Sequence, residues 1–138
     1  MDGPALITWS YKGKPARYGS WEVVDSHAMR IVSKYYVSDD RIEIHGTEGI
    51  IWVNRCSGNL LEEPSVVLYR DNEVRAFHHI PADWAESFRL GVHDFIDALL
   101  AGKKPPQQPD DARKTFAFLL AAAKSAEEKR EVALDEFK

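Results

Sequence analysis

Between Arg41 and Val53 the chain changes its hydrophobic pattern within a few residues. Ile42 and Ile44 alternate with Arg41, Glu43 and His45, the period of two expected of a strand buried on one face. Ile50, Ile51, Trp52 and Val53 follow as an unbroken β-branched and aromatic run, which predicts a more deeply buried strand. Gly46-Thr47-Glu48-Gly49 separates the two runs and predicts a tight reversal, with the glycines supplying positive φ. Similar patterns predict strands over Ala5 to Tyr11, Met29 to Val37, Ser65 to Tyr69 and Val74 to His78. Lys12-Gly13-Lys14-Pro15 breaks the first of these, and Ser38-Asp39-Asp40 turns the second into the hairpin. Ser57-Gly58-Asn59 closes the hairpin, and Arg70-Asp71-Asn72-Glu73 is a short polar turn. Trp21 to Val24 fits either a strand or an irregular segment.

The second half has a different period. Asp83 suits the cap of a helix running to about Ala101, in which Phe88, Val92, Phe95, Ile96 and Leu99 share one face. Trp84 would pin the start of this helix to the sheet. Gly102 falls where a C-terminal cap is wanted. Lys103-Lys104-Pro105-Pro106-Gln107-Gln108-Pro109 predicts an extended connector, because proline opposes helix. Asp110 then caps a second helix to about Arg130, with Ala112, Phe116, Leu119, Leu120 and Ala123 on its apolar face. Val132 to Leu134 could add a short edge strand. Strands followed by helices predict an α+β domain, a mostly antiparallel open sheet with two main helices packed on one face. The sheet's other face, also rich in Ile, Val, Trp and Tyr, would then be a partner surface.

Composition narrows the class. The chain has 138 residues, 44% hydrophobic and 29% charged, which suits one soluble domain over residues 1–138. Its net charge of −4 and its dispersed basic residues, paired only at Lys103-Lys104 and Lys129-Arg130, argue against a nucleic-acid partner. The single cysteine, Cys56, excludes an internal disulfide and suits a reducing cytoplasm. No run approaches the roughly 20 apolar residues of a membrane helix, and Met1-Asp2-Gly3-Pro4 has no signal-peptide character. The expected location is cytoplasmic, without membrane contact.

Candidate chemistry is sparse. No Gly-x-Gly-x-x-Gly stands between a strand and a helix, so no dinucleotide fingerprint is visible. The five histidines, His27, His45, His78, His79 and His93, show no metal-ligand spacing, and His78 and His79 are neighbours pointing to opposite faces of a strand. No metal site is expected. Asp83, Asp110 and Asp111 suit helix starts, and Glu127-Glu128-Lys129-Arg130-Glu131 suits a solvated face. Trp9, Trp21, Trp52 and Trp84 suit core or interface packing, with stacking on a sugar or base as the alternative.

Three pieces, taken in order, resemble a known family. They are the hairpin at residues 41–55; Trp84-Ala85-Glu86-Ser87-Phe88 leading through Asp94-Phe95-Ile96-Asp97-Ala98-Leu99 to Gly102-Lys103-Lys104-Pro105; and Asp110-Asp111-Ala112-Arg113 leading through Ala121 to Glu128 and Arg130-Glu131-Val132-Ala133-Leu134. Across residues 20–134 they look like the C-terminal domain of the glucose–fructose oxidoreductase and inositol dehydrogenase (Gfo/Idh/MocA) family, without the N-terminal Rossmann domain. The resemblance implies a substrate-binding and oligomerisation domain of an NAD(P)-dependent sugar or cyclitol dehydrogenase. The alternative is a stand-alone ligand-binding or self-association module derived from such an enzyme.

The family's catalytic motifs are not matched. Lys14-Pro15 follows Gly13 rather than Glu, and Gly91-Val92-His93-Asp94 lacks the Asp two residues before Gly91. His93 is therefore read as structural or surface. No catalytic and no cofactor-binding residue is assigned to this chain, and NAD(P) is expected only of a full-length parent. By position the resemblance assigns substrate contacts to Tyr36 and Ser38, with Tyr35 and Asp39 behind them. The competing reading packs one tyrosine in the core and turns the other to solvent or a partner. The implied partners are a second copy through the sheet face, a Rossmann domain in a full-length parent and a sugar-like small molecule.

Overall fold

The computed structural model describes residues 4–24, 39–54, 63–81 and 84–137. They form six strands and two helices: β1 (Ala5–Tyr11), β2 (Arg17–Val24), β3 (Asp39–His45), β4 (Gly49–Asn54), β5 (Val66–Arg70), β6 (Glu73–Phe77), α1 (Trp84–Leu100) and α2 (Pro109–Glu128). The fold is α+β, as the order of patterns predicts. The sheet forms one compact unit, and the helical segment from Arg89 onward forms another.

The sheet is a meander in the order β1-β2-β3-β4-β5-β6, with every neighbouring pair antiparallel. Register assigns its faces. Trp9 pairs with Gly19 and Gly19 with Ile44; Trp21 pairs with Ile42 and Ile42 with Val53. With Ile51, Leu68 and Val66, these residues make the first face almost wholly apolar around the central strands. The second face is divided. Tyr18, Ser20, Arg41, Glu43 and His45 lie on β2 and β3, while Ile50, Trp52, Val67, Tyr69 and Val74 lie on β4 to β6.

The strand β2 begins at Arg17, four residues before the segment that sequence left open between strand and irregular structure. Gly19 interrupts the propensity there, but the Trp9 indole lies where its Cβ would be, so a strand glycine is what this packing requires. The loop before it is held by Arg17, whose Nη2 donates to the Lys12 carbonyl at 3.2 Å and whose guanidinium lies 5.6 Å from the Tyr11 ring centroid.

The β3–β4 reversal forms where expected, with Gly46 N–H donating to the Gly49 carbonyl at 2.9 Å. Neither glycine has positive φ, so the expected reason for them is corrected. An ideal Cβ on Gly49 would lie 2.2 Å from the Tyr69 carbonyl oxygen of β5, and close approach of that strand is what demands glycine. Arg70 ties the same corner, its Nη2 lying 2.8 Å from Glu48 Oε2. At the β5–β6 turn Asp71 and Asn72 carry φ of 54° and 63°, the two positive values of a type I′ hairpin. The long strand expected over 29–37 and the Ser57-Gly58-Asn59 turn lie outside the described residues.

In the helical unit, α1 ends in a Schellman cap. Gly102 has φ of 64°, its N–H donates to the Leu99 carbonyl at 3.0 Å, and Lys103 N–H donates to the Ala98 carbonyl at 2.8 Å. Asp83 lies outside the described residues. Phe88, Val92, Phe95, Ile96 and Leu99, the predicted apolar stripe, are all exposed. One expectation for α2 is corrected. Its N-cap is Gln108, not Asp110, because Pro109 starts the helix with a φ already suited to the first position. Asp111 answers the cap by accepting the Gln108 N–H at 3.3 Å.

At the other end Lys129 adopts the left-handed conformation; the short edge strand expected over Val132 to Leu134 does not form, and Leu134 instead opens a 3-10 turn over Leu134–Phe137. Arg130 explains the turn. It grips both oxygens of Glu136 at 2.9 and 2.8 Å, while Lys124 Nζ lies 2.7 Å from Oε2. These hydrogen bonds, first from Arg130 and then from Lys124, hold the Glu136 carboxyl well below the usual carboxylate range.

Candidate functional site

Of the residues assigned by resemblance, Tyr35, Tyr36 and Ser38 lie outside the described residues. Asp39 opens β3, where its backbone pairs with Val24. That places Asp39 at the start of one of the two central strands of the sheet.

Further along β3, register assembles a group that sequence reading did not single out. His45 pairs with Tyr18 across the β2–β3 ladder, and the rings stack with centroids 4.4 Å apart and planes 14° from parallel. Two residues earlier on the same face, Glu43 Oε1 accepts a hydrogen bond from His45 Nε2. Glu43 in turn sits between Ser20 on β2 and Trp52 on β4. The Glu43 and His45 side chains are 38% and 27% exposed, so the pair stays within reach of solvent while its geometry is held by the sheet.

The group therefore offers a carboxylate, an imidazole, a hydroxyl and two aromatic surfaces on one face of a rigid sheet. Such a set can hydrogen-bond neighbouring hydroxyls and pack against the C–H face of a polyol ring. Tyr18 and His45 lie 27 positions apart in sequence. Only strand register brings them together, and the one signal in the sequence is the polar phase of the β3 alternation.

The other candidates stay apart. His78 and His79 are exposed, with centroids 6.5 Å apart and planes 53° from parallel. His93 lies exposed on α1. Among the described residues no group of three or more His, Cys, Asp or Glu gathers to hold a metal ion, and no helix is long and apolar enough to cross a membrane. The described strands are all antiparallel and offer no parallel β-α-β unit for a dinucleotide. Among the described residues no such unit is present to hold a nicotinamide cofactor, and no chemical step is assigned through one.

The fold and the site define an antiparallel α+β domain that carries acid–base and aromatic residues on a sheet face. Its sequence is similar to myo-inositol 2-dehydrogenase of Thermotoga maritima, 28% identical over 121 residues that cover 86% of this chain and 34% of that protein. The chain thus spans about a third of the length of the curated relative it matches. This weak homology relates the domain to an oxidoreductase. No family model and no solved structure matches the chain.

Proposed function

We propose that this chain is the substrate-binding and oligomerisation domain of an NAD(P)-dependent dehydrogenase acting on a sugar or cyclitol. By itself it has no redox activity, the hydride chemistry belonging to a cofactor held by another domain. The observation that carries this reading is the similarity running through 86% of the chain to about a third of an inositol dehydrogenase. The chemistry of the sheet agrees with it. Glu43, His45 and Ser20 are polar partners for vicinal hydroxyls, and Tyr18 and Trp52 are surfaces for the ring. Apolar side chains lie on both sheet faces, and exposed apolar surface of this kind supports the oligomerisation role.

The test starts with the intact mass of the gene product from its native source. A product larger by a dinucleotide domain, on the order of 150 residues, that reduces NAD or NADP with myo-inositol or a related polyol supports the proposal. A native product of 15.7 kDa that self-associates and leaves its spectra unchanged with polyols overturns it in favour of the stand-alone module.

A further inference from the structure

We propose that the outer edge of β1 pairs with β1 of a second copy, joining two sheets into one about a two-fold axis through Thr8. This inference stands on the sheet alone and not on the dehydrogenase reading.

The strand β1 is first in the sheet order, and among the described residues no strand pairs with its outer side. Its sequence, Ala-Leu-Ile-Thr-Trp-Ser-Tyr, contains neither charge nor proline. Sheet edges that must stay single are blunted by short length, charge or proline. The opposite edge is built that way: β6 has five residues, and its Arg75 and Glu73 form an exposed ion pair at 3.1 Å. The seven-residue β1 has none of these guards.

Antiparallel self-pairing about Thr8 matches every residue of β1. Thr8 faces Thr8 of the second copy, Ile7 faces Trp9, Leu6 faces Ser10 and Ala5 faces Tyr11. The axis is perpendicular to the sheet, so each face continues into the same face of the partner. Threonine–threonine and aromatic–β-branched pairs are among the favourable cross-strand combinations. The same operation on β6 would set Arg75 against Arg75, which is repulsive. Pairing β1 with β6 of another copy would be head-to-tail and would not close by this two-fold. Of the pairings that match every residue of an edge strand, β1 with β1 alone is closed and free of like-charge contacts.

The test is cross-linking in the full chain with Cys56→Ser as background. In this register the two Thr8 Cα atoms lie about 5 Å apart, within disulfide reach, whereas the two Leu6 Cα atoms lie roughly 14 Å apart. Thr8→Cys is expected to give a disulfide-linked dimer under mild oxidation, and Leu6→Cys to remain monomeric on a non-reducing gel. Thr8→Lys, at an exposed position, places two cations opposite each other. It is expected to weaken dimerisation more than tenfold by sedimentation while the circular dichroism spectrum is kept. Equal cross-linking at positions 6 and 8, no cross-linking at 8, or self-association indifferent to Thr8→Lys would each overturn the proposal.

Discussion

Gly49 is fixed by a neighbouring strand and not by its own φ. An added methyl would lie 2.2 Å from the Tyr69 carbonyl oxygen, a backbone atom held in the β4–β5 ladder that cannot turn aside. Gly49→Ala is expected to cost about 1–3 kcal/mol as strain in a packed sheet. Gly91 is the opposite case. It lies within α1 with nothing inside 4 Å of its missing Cβ, so Gly91→Ala is expected to stabilise by about 0.5–1 kcal/mol through helix propensity. Urea unfolding midpoints should move in opposite directions for the two variants. The contrast shows what was legible at this scale. Gly46 and Gly49 mark a reversal in any reading, but the approach of β5 leaves no trace in a local pattern. Tyr18 was invisible as a partner of His45 for the same reason.

At the scale of elements, the helices were legible in their bodies and less so at their ends. The apolar stripe from Phe88 to Leu99 and the cap at Gly102 follow from spacing and from the conformation glycine permits. The start of α2 was misread because an aspartate at position 110 is a good cap, while a proline at 109 is an even better first residue. Asp111→Ala removes the acceptor of the Gln108 N–H and is expected to cost about 0.5–1 kcal/mol, measurable as helicity lost in thermal unfolding. The C-terminal turn could not be foreseen, since it depends on Arg130 and Lys124 converging on Glu136. Because the folded Glu136 pKa is lowered, its contribution is present above the ordinary value of about 4.3 and is lost as pH falls through the folded value. The turn should therefore remain docked at pH 4 and release only in stronger acid. Glu136→Gln should loosen it at neutral pH. The ring signals of Phe137, whose centroid lies 5.7 Å from Lys124 Nζ, report both outcomes by NMR.

For the whole molecule, the alternation of strands and helices announced an α+β fold, but it could not say how the two sheet faces differ. Register does. The first face is apolar from Trp9 through Ile42, Ile44 and Ile51 to Leu68, which suits permanent burial. The second combines the polar group around Glu43 with an apolar field at Ile50, Trp52, Val67 and Val74, the mixed character of a surface that meets a partner. A carboxylate introduced on each face separates the roles. Ile42→Glu sits half-buried between Trp21 and Val53 and is expected to destabilise the sheet strongly, because an unpaired charge set among apolar neighbours costs several kcal/mol, on the order of the whole stability of a small domain. Val67→Glu sits between Trp52 and Ala76. It is expected to leave the fold intact by circular dichroism and to weaken self-association about tenfold in sedimentation, with β1 cross-linking through Thr8→Cys unchanged. Loss of folding in both variants would mean that both faces belong to the core. Self-association would then rest on the β1 edge alone.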